Sequence, residues 1–336
     1  MCKEIIIYFS YWMWQYPCES LVLWKNKNDM GRKTIWGGPW TEEKLKAFED
    51  YVKAYLTIMN VRRVRNGWSL CYFDGFAGNG TRTEAEQGEE IDAMTNLFGE
   101  ELTPEELYVY RGAAERVVRI EEQGIKGFDL FFFIDNDEKS VNALQDHLSQ
   151  FTCSGNPVFR AMDANEALEL FATWMRSKKG RKALVLLDPF GMQINWSSIQ
   201  ALKGLDIDLW ILIPTGVIVN RLLRRDYVEE KGLLHPERLK SFFGLTEDEI
   251  KQVFYTEVKE ESLFGEENVK SIKLADPIQR IAELYVQQLG KVFPQVTKPM
   301  VLESKEGRPL FHFVFASKNA TGKKIAQYII NRKKKQ

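Results

Sequence analysis

The sequence predicts an α/β fold: a doubly wound, mostly parallel sheet of seven strands with a C-terminal antiparallel hairpin and an inserted helical subdomain. Three observations carry this expectation. Five short apolar runs alternate with segments of helical period. Three of those runs, 70–74, 130–135 and 183–188, end in an aspartate. Near the C-terminus two further apolar runs are joined by Ser304-Lys305-Glu306-Gly307, a hairpin signature.

The elements follow in order. After Trp36-Gly37-Gly38-Pro39-Trp40, Thr41 is placed to cap a helix carrying Glu42 and Glu43 in its first turn. Leu45, Phe48, Tyr51, Val52, Tyr55, Leu56 and Met59 recur at helical spacing, which predicts an amphipathic helix ending near Asn60. Residues 70–74 read as a buried parallel strand leading into Asp74-Gly75-Phe76-Ala77-Gly78-Asn79-Gly80. Residues 81–111 are polar and acidic, a solvated stretch or a lid over the loop before it. Helices are predicted over 113–122, 137–148 and 165–178, and strands over 130–135, 157–160, 183–188 and 207–213. Residues 217–290 read mainly as helices, and 296–303 with 310–316 as the hairpin at the sheet edge. A last helix ends in Arg332-Lys333-Lys334-Lys335.

The domain reading is accordingly a leader at 1–33, with Met30 as the alternative natural start, and the first part of the sheet domain at 34–216. An inserted helical subdomain at 217–290 and the completing hairpin and helix at 291–330 follow. The apolar run Ile5-Ile6-Ile7-Tyr8-Phe9 is broken too soon to span a bilayer. A hydrophobic fraction of 44% fits a protein with a true core, and a net charge of −1 steers the whole chain to no polyanion. Four scattered cysteines and three scattered histidines lack metal-ligand spacing, so no metal site, disulfide framework or histidine-centred chemistry is expected. A cytoplasmic location is the expectation.

The chemistry is expected at the strand ends. Glycine belongs where a backbone takes positive φ or comes within contact distance of a ligand. The loop 74–80 lacks the third glycine of G-x-G-x-x-G, and no helix starts directly after it, which weakens a dinucleotide reading. A methionine-derived cofactor has no phosphates and needs only room for its amino-acid tail and ribose. Asp74, Phe76, Ala77, Gly78 and Gly80 are therefore candidate cofactor contacts. Asp135 is assigned to ribose hydroxyls with Asn136 beside it, whereas Asp137 is assigned to the next helix cap. Asp163 is placed either for an adenine amino group or as a solvated turn acid. Asp188-Pro189-Phe190-Gly191 joins an acid, a rigid bend and a ring at one strand end, with Asp188, Pro189 and Phe190 as candidate catalytic residues. The competing reading is a stiff turn before a helix. Four strand-end acids also admit a magnesium-dependent nuclease or phosphoesterase, although the chain has no Gly-Lys-Ser/Thr cradle. Arg221, Arg224, Arg225 and the terminal lysine run are either a nucleic-acid contact or solvated faces.

Taken in order, Trp40-Thr-Glu-Glu-Lys-Leu45, Tyr72-Phe-Asp-Gly-Phe-Ala-Gly-Asn-Gly80, Arg111-Gly-Ala-Ala-Glu115, Phe133-Ile-Asp-Asn-Asp137, Asp188-Pro-Phe-Gly191 and Phe315-Ala-Ser-Lys318 resemble the three-Cys-motif partner protein family. The resemblance covers residues 34–330. That family is similar to class I S-adenosylmethionine-dependent methyltransferases. The resemblance implies a Rossmann-like methyltransferase sheet, S-adenosyl-L-methionine as cofactor, and a radical-SAM-like partner bearing three characteristic cysteines. The resemblance delivers no substrate; the expected transferase activity, methylation of an amino group on a nucleic-acid base or nucleotide, is read from Asp188-Pro189-Phe190. The alternative is a non-catalytic methyltransferase-like scaffold for that partner. Amino-methylating relatives carry Asp/Asn-Pro-Pro-Tyr/Phe where this chain has Asp188-Pro189-Phe190; its single proline leaves open a different acceptor, or no catalysis.

Overall fold

The computed structural model describes residues 39–79, 112–189, 191–223, 226–227, 233, 235–261, 267–304 and 306–333. The expected leader and the candidate lid at 81–111 lie outside these residues.

Helix α1 spans Pro39–Asn66. It starts before the expected Thr41 cap, because Pro39 suits a first turn in which its missing N–H costs nothing. It also runs past the expected end near Asn60. Beyond Met59 the apolar stripe gives out, with Val61 and Val64 at 56% and 85% exposure. The helix instead continues on Arg63, a buried guanidinium that donates to the Gly127 carbonyl (3.1 Å) and to Asp129 (3.2 Å). A cation stands where the stripe would need an apolar residue, so hydrophobic periodicity misses the last turns.

Strands β1 (Ser69–Asp74), β2 (Leu130–Asp135), β3 (Asn156–Ala161), β4 (Arg181–Leu187) and β5 (Ile207–Ile213) are parallel. Between them lie α2 (Ala113–Val118) with a following 3-10 turn, α3 (Glu138–Leu148), α4 (Ala164–Ser177) and α5 (Trp196–Gln200). Helices on both faces explain why β1, β4 and β5 are near-continuous apolar runs. Consecutive residues of β1 show the two layers. Tyr72 meets Phe48 of α1 at 6.2 Å between ring centroids, and Phe73 meets Phe171 of α4 at 4.7 Å.

The segment after β5 differs from the helical subdomain expected at 217–290. A π turn at Thr215–Val219 runs into a helical turn at Asn220–Leu222, then β6 (Asp226–Tyr227), α6 (Pro236–Phe243), α7 (Glu247–Phe254), β7 (Tyr255–Glu261), β8 (Glu267–Lys273) and α8 (Pro277–Val292). The three strands form a second, antiparallel sheet in the order β6-β8-β7. Its strand Tyr255–Glu261 is rich in charge and carries few apolar residues, so period-two patterning is weak there. Lys273 ties this sheet back to the helical turn, donating to the Asn220 carbonyl and side chain (2.8 Å each) and to the Leu223 carbonyl (2.7 Å). Partial burial lowers its ammonium to about 8. Residues 37–336 form one compact unit, so the insertion is continuous with the main body.

The chain closes with β9 (Gln295–Val296), β10 (Met300–Glu303), β11 (Pro309–Ser317) and α9 (Ala320–Lys333). The predicted hairpin is present, but β11 runs antiparallel between β5 and β10, leaving only β10 at the edge. The order is β10-β11-β5-β4-β1-β2-β3, and two-residue β9 pairs with β11, making eight strands where seven are predicted. No described helix is long and apolar enough to cross a membrane.

Asp208 near the start of β5 joins α1 to the C-terminal strand, accepting from Tyr51 Oη (2.7 Å) and Ser317 Oγ (2.5 Å). Burial pushes its carboxyl up, against the pull of both donors. Tyr51→Phe is expected to lower stability by about 1–3 kcal/mol, the cost of an under-satisfied buried acceptor. Urea unfolding of the two proteins measures it; equal midpoints would show that the hydroxyl contributes nothing.

Candidate functional site at the carboxyl edge

The strand order reverses between β1 and β4: the chain lays β2 and β3 on one side, then returns to place β4 and β5 on the other. Connections leaving two adjacent carboxyl ends in opposite directions open a crevice there, the place where open α/β sheets bind ligands.

The glycine loop is hung across that crevice. Gly75 N–H donates to the Leu186 carbonyl at the end of β4 (3.0 Å), and Ala77 N–H to the Ile134 carbonyl of β2 (2.8 Å). Gly78 N–H donates to Asp135 Oδ2 (2.9 Å). Two glycines have distinct reasons. A Cβ on Gly75 would stand 2.8 Å from Leu187 Cδ2, whereas Gly78 has φ +62 and, among the described residues, open space where its Cβ would be. Phe76 and Ala77 are half-buried, and Gly80 lies outside the described residues.

Asp135 thus braces the loop from β2. Its Oδ1 also accepts from Asp137 N–H (3.0 Å). Asp137 caps α3, accepting from Ser140 N–H (2.9 Å), as the sequence predicts. Asn136 is exposed. Asp163 caps α4: its Oδ1 accepts from Asn165 N–H (2.8 Å) and Glu166 N–H (3.2 Å).

Asp188 follows β4 and is 5% exposed, with Pro189 buried beside it and Phe190 outside the described residues. Its Oδ2 is held by Lys44 Nζ at 2.5 Å, and both side chains are almost fully enclosed. Lys44 comes from the first turns of α1, and the sequence reading passes over it. The signal was available: Lys44 lies four residues before Phe48, on the same helix face as the apolar stripe.

Asp74 sits between these groups. Tyr72 Oη donates to its Oδ2 (2.9 Å) and Phe76 N–H to its Oδ1 (3.2 Å). Burial pushes the carboxyl up to about 7; the two hydrogen bonds oppose the shift, and the neighbouring acids Asp188 and Asp135 add to it. Burial, with the charge of Asp74, raises the Tyr72 hydroxyl well above its ordinary range, so it stays a donor. At the end of β5, Thr215 Oγ1 and His312 Nδ1 lie 2.7 Å apart, both buried. The sequence gives no sign of this pair.

The other expected contacts disperse. Arg221 is half-buried, Arg224 and Arg225 lie outside the described residues, and Arg332 pairs with Asp50 of α1 at 2.5 Å. Among the described residues no group of three or more His, Cys, Asp or Glu side chains is placed to hold a metal ion.

Comparison with protein-family models finds no match, and comparison with curated proteins finds none. Among solved structures, a conserved hypothetical protein from Streptococcus pyogenes is 16% identical, over 47% of this chain and 76% of its own, with a TM-score of 0.26. A DUF519-family protein from Legionella pneumophila is 11% identical, over 80% of this chain and 97% of its own, with a TM-score of 0.31. At these scores neither likeness carries an argument about fold or activity.

Two outcomes test the electrostatics of the site. Lys44→Met leaves the Asp188 charge buried without its ammonium and is expected to cost about 3–5 kcal/mol. Lys44→Met/Asp188→Asn should regain most of that loss in chemical denaturation; a single variant as stable as wild type would show that the pair contributes little. Asp74 supplies a pH signature. The native protein keeps its proton up to about pH 7, whereas the unfolded chain releases it near pH ~3.9. Stability is therefore full below the lower value and is lost as pH rises through the window. Asp74→Asn escapes that loss, so its melting temperature should gain on wild type from acid to neutral pH. Parallel melting curves across that range would sink the assignment.

Proposed function

We propose that the chain is an S-adenosylmethionine-dependent, methyltransferase-like protein with its ligand on the loop Asp74–Gly80. The observation that carries this reading is the loop itself: a glycine turn hung from β2 and β4 at the strand-order reversal, with Asp135 bonded into it.

The described residues fit such a ligand. Among them, Gly78 leaves open space where a side chain would project. Asp135 accepts from the Gly78 and Asp137 N–H groups, and in this reading it also meets the ribose hydroxyls. In this reading Phe76 and Ala77 line the loop, Asn136 flanks the ribose and Asp163 is assigned to the adenine end, while Gly80 lies outside the described residues. S-adenosylmethionine supplies, when bound, a methyl group on a sulfonium leaving group. The chain's own part is then alignment. In this reading Asp188, Pro189 and Phe190 are the residues assigned to the acceptor.

The Lys44 ion pair qualifies the acceptor. A carboxylate oxygen that already holds an internal ammonium at 2.5 Å is a poor partner for a substrate amine. That contact favours an acceptor positioned by other groups, or the scaffold reading, in which the chain serves the radical-SAM-like partner that the family resemblance implies.

Titration calorimetry with S-adenosylmethionine tests the ligand. Wild type should bind it, and Asp135→Ala should weaken binding by about tenfold or more, the effect of losing charged hydrogen bonds. No heat at millimolar ligand would sink the proposal. Binding without methyl transfer to any nucleic-acid pool would favour the scaffold.

A further inference from the structure

Asp74 differs from the other acids of the edge in what surrounds it. Asp188 faces an ammonium, that of Lys44. Asp135 accepts from two backbone N–H groups, and Asp163 caps a helix. Asp74 is 2% exposed, and its hydrogen bonds come from two neutral donors, the Tyr72 hydroxyl and the Phe76 N–H. The titratable groups facing it are Tyr72 from its own strand, Asp135 from the end of β2, and Asp188 from the end of β4 with Lys44 behind it on α1. Ionising such a carboxyl means placing an anion beside two others in a low-dielectric crevice, unless something positive arrives.

We propose that Asp74 is a specificity-determining residue: it makes the site prefer a cationic ligand, and it gives up its proton to solvent when one binds. The step balances simply. The neutral carboxyl and the arriving cation become a carboxylate–cation pair, and one proton leaves. The inference rests on the adenosyl ligand proposed above and adds what that reading lacks, a reason for the site to distinguish the charged sulfonium from the neutral thioether left after methyl loss. The raised affinity of Asp74 for its proton near neutrality agrees with this.

The test uses the full chain and two probes that differ in that charge, S-adenosylmethionine and S-adenosylhomocysteine. Calorimetry is run from about pH 6 to about pH 8.5, in pairs of buffers with different ionisation enthalpies. S-adenosylmethionine should release close to one proton at the acid end, and its affinity should climb about tenfold across the range before levelling. S-adenosylhomocysteine should release fewer protons and show a flatter profile. Asp74→Asn should flatten the S-adenosylmethionine profile and remove its advantage. Tyr72→Phe keeps the carboxyl and the ring but removes a donor to the anion, so the midpoint should move upward. This variant decides the matter if Asp74→Asn fails to fold. Binding without proton release, an unaltered profile in Asp74→Asn or an unmoved midpoint in Tyr72→Phe would overturn the role of Asp74 and leave the ligand standing. If neither probe binds at any pH, the ligand reading falls and this inference with it.

Discussion

Adjacent parallel strands must be joined by crossovers, and here the crossovers diverge between β1 and β4. That divergence is the constraint from which the candidate site follows. It leaves a crevice at the carboxyl ends and puts the exit of β1 beside those of β2 and β4. The glycine loop can then borrow its anchors from both neighbours, the Leu186 carbonyl on one side and Ile134 with Asp135 on the other. A bulkier residue at position 75 would press on Leu187, so the backbone there is set by strand packing before any ligand is considered.

Helix α1 closes the same architecture from one face. Its aromatic side reaches across the sheet, Phe48 to Tyr72, Tyr51 to Trp210 and Phe315, and Tyr55 to Phe128. Its polar atoms reach both edges. Tyr51 meets Asp208 near the amino end of β5, and Lys44 meets Asp188 beyond the carboxyl end of β4. One helix therefore fixes a structural carboxylate at one edge and a carboxylate of the candidate site at the other. Burial of the aromatic face holds the helix down; the two polar contacts set where along the sheet it lies.

Much of this was legible because it follows from local chemistry. β5 is an apolar run interrupted only by Asp208, and it is found over the residues predicted. Asp137 reads as a cap from its place just before a helix, and it is one. The glycines of the loop predict an unusual backbone, and Gly78 takes φ +62 while a Cβ on Gly75 would crowd Leu187. What escaped depends on partners distant in sequence. Lys44 and Asp188 are 144 residues apart, and Thr215 and His312 are 97 apart. The small sheet escaped for another reason: charged residues throughout Tyr255–Glu261 mask its alternation. Asp163 shows the limit of strand-end reasoning, since an acid after a strand is also an acid before a helix, and the backbone claims it first.

The four strand-end acids look interchangeable in the sequence, and that equivalence is what admits a magnesium reading. Their surroundings separate them. Asp163 faces the positive end of α4, Asp135 two backbone N–H groups, and Asp188 an ammonium. Each arrangement lowers the cost of holding a negative charge out of water. Asp74 has only a phenol and one N–H, and it retains its proton toward neutrality. A divalent-metal centre needs carboxylates that are ionised and turned toward a common point, whereas these are turned toward four different partners. The same division of charge suits a ligand whose sugar and base are neutral and whose sulfur carries a positive charge. Its sugar and base would meet hydrogen-bonding groups whose charge is already balanced, and its cation would meet the one acid still able to acquire a charge.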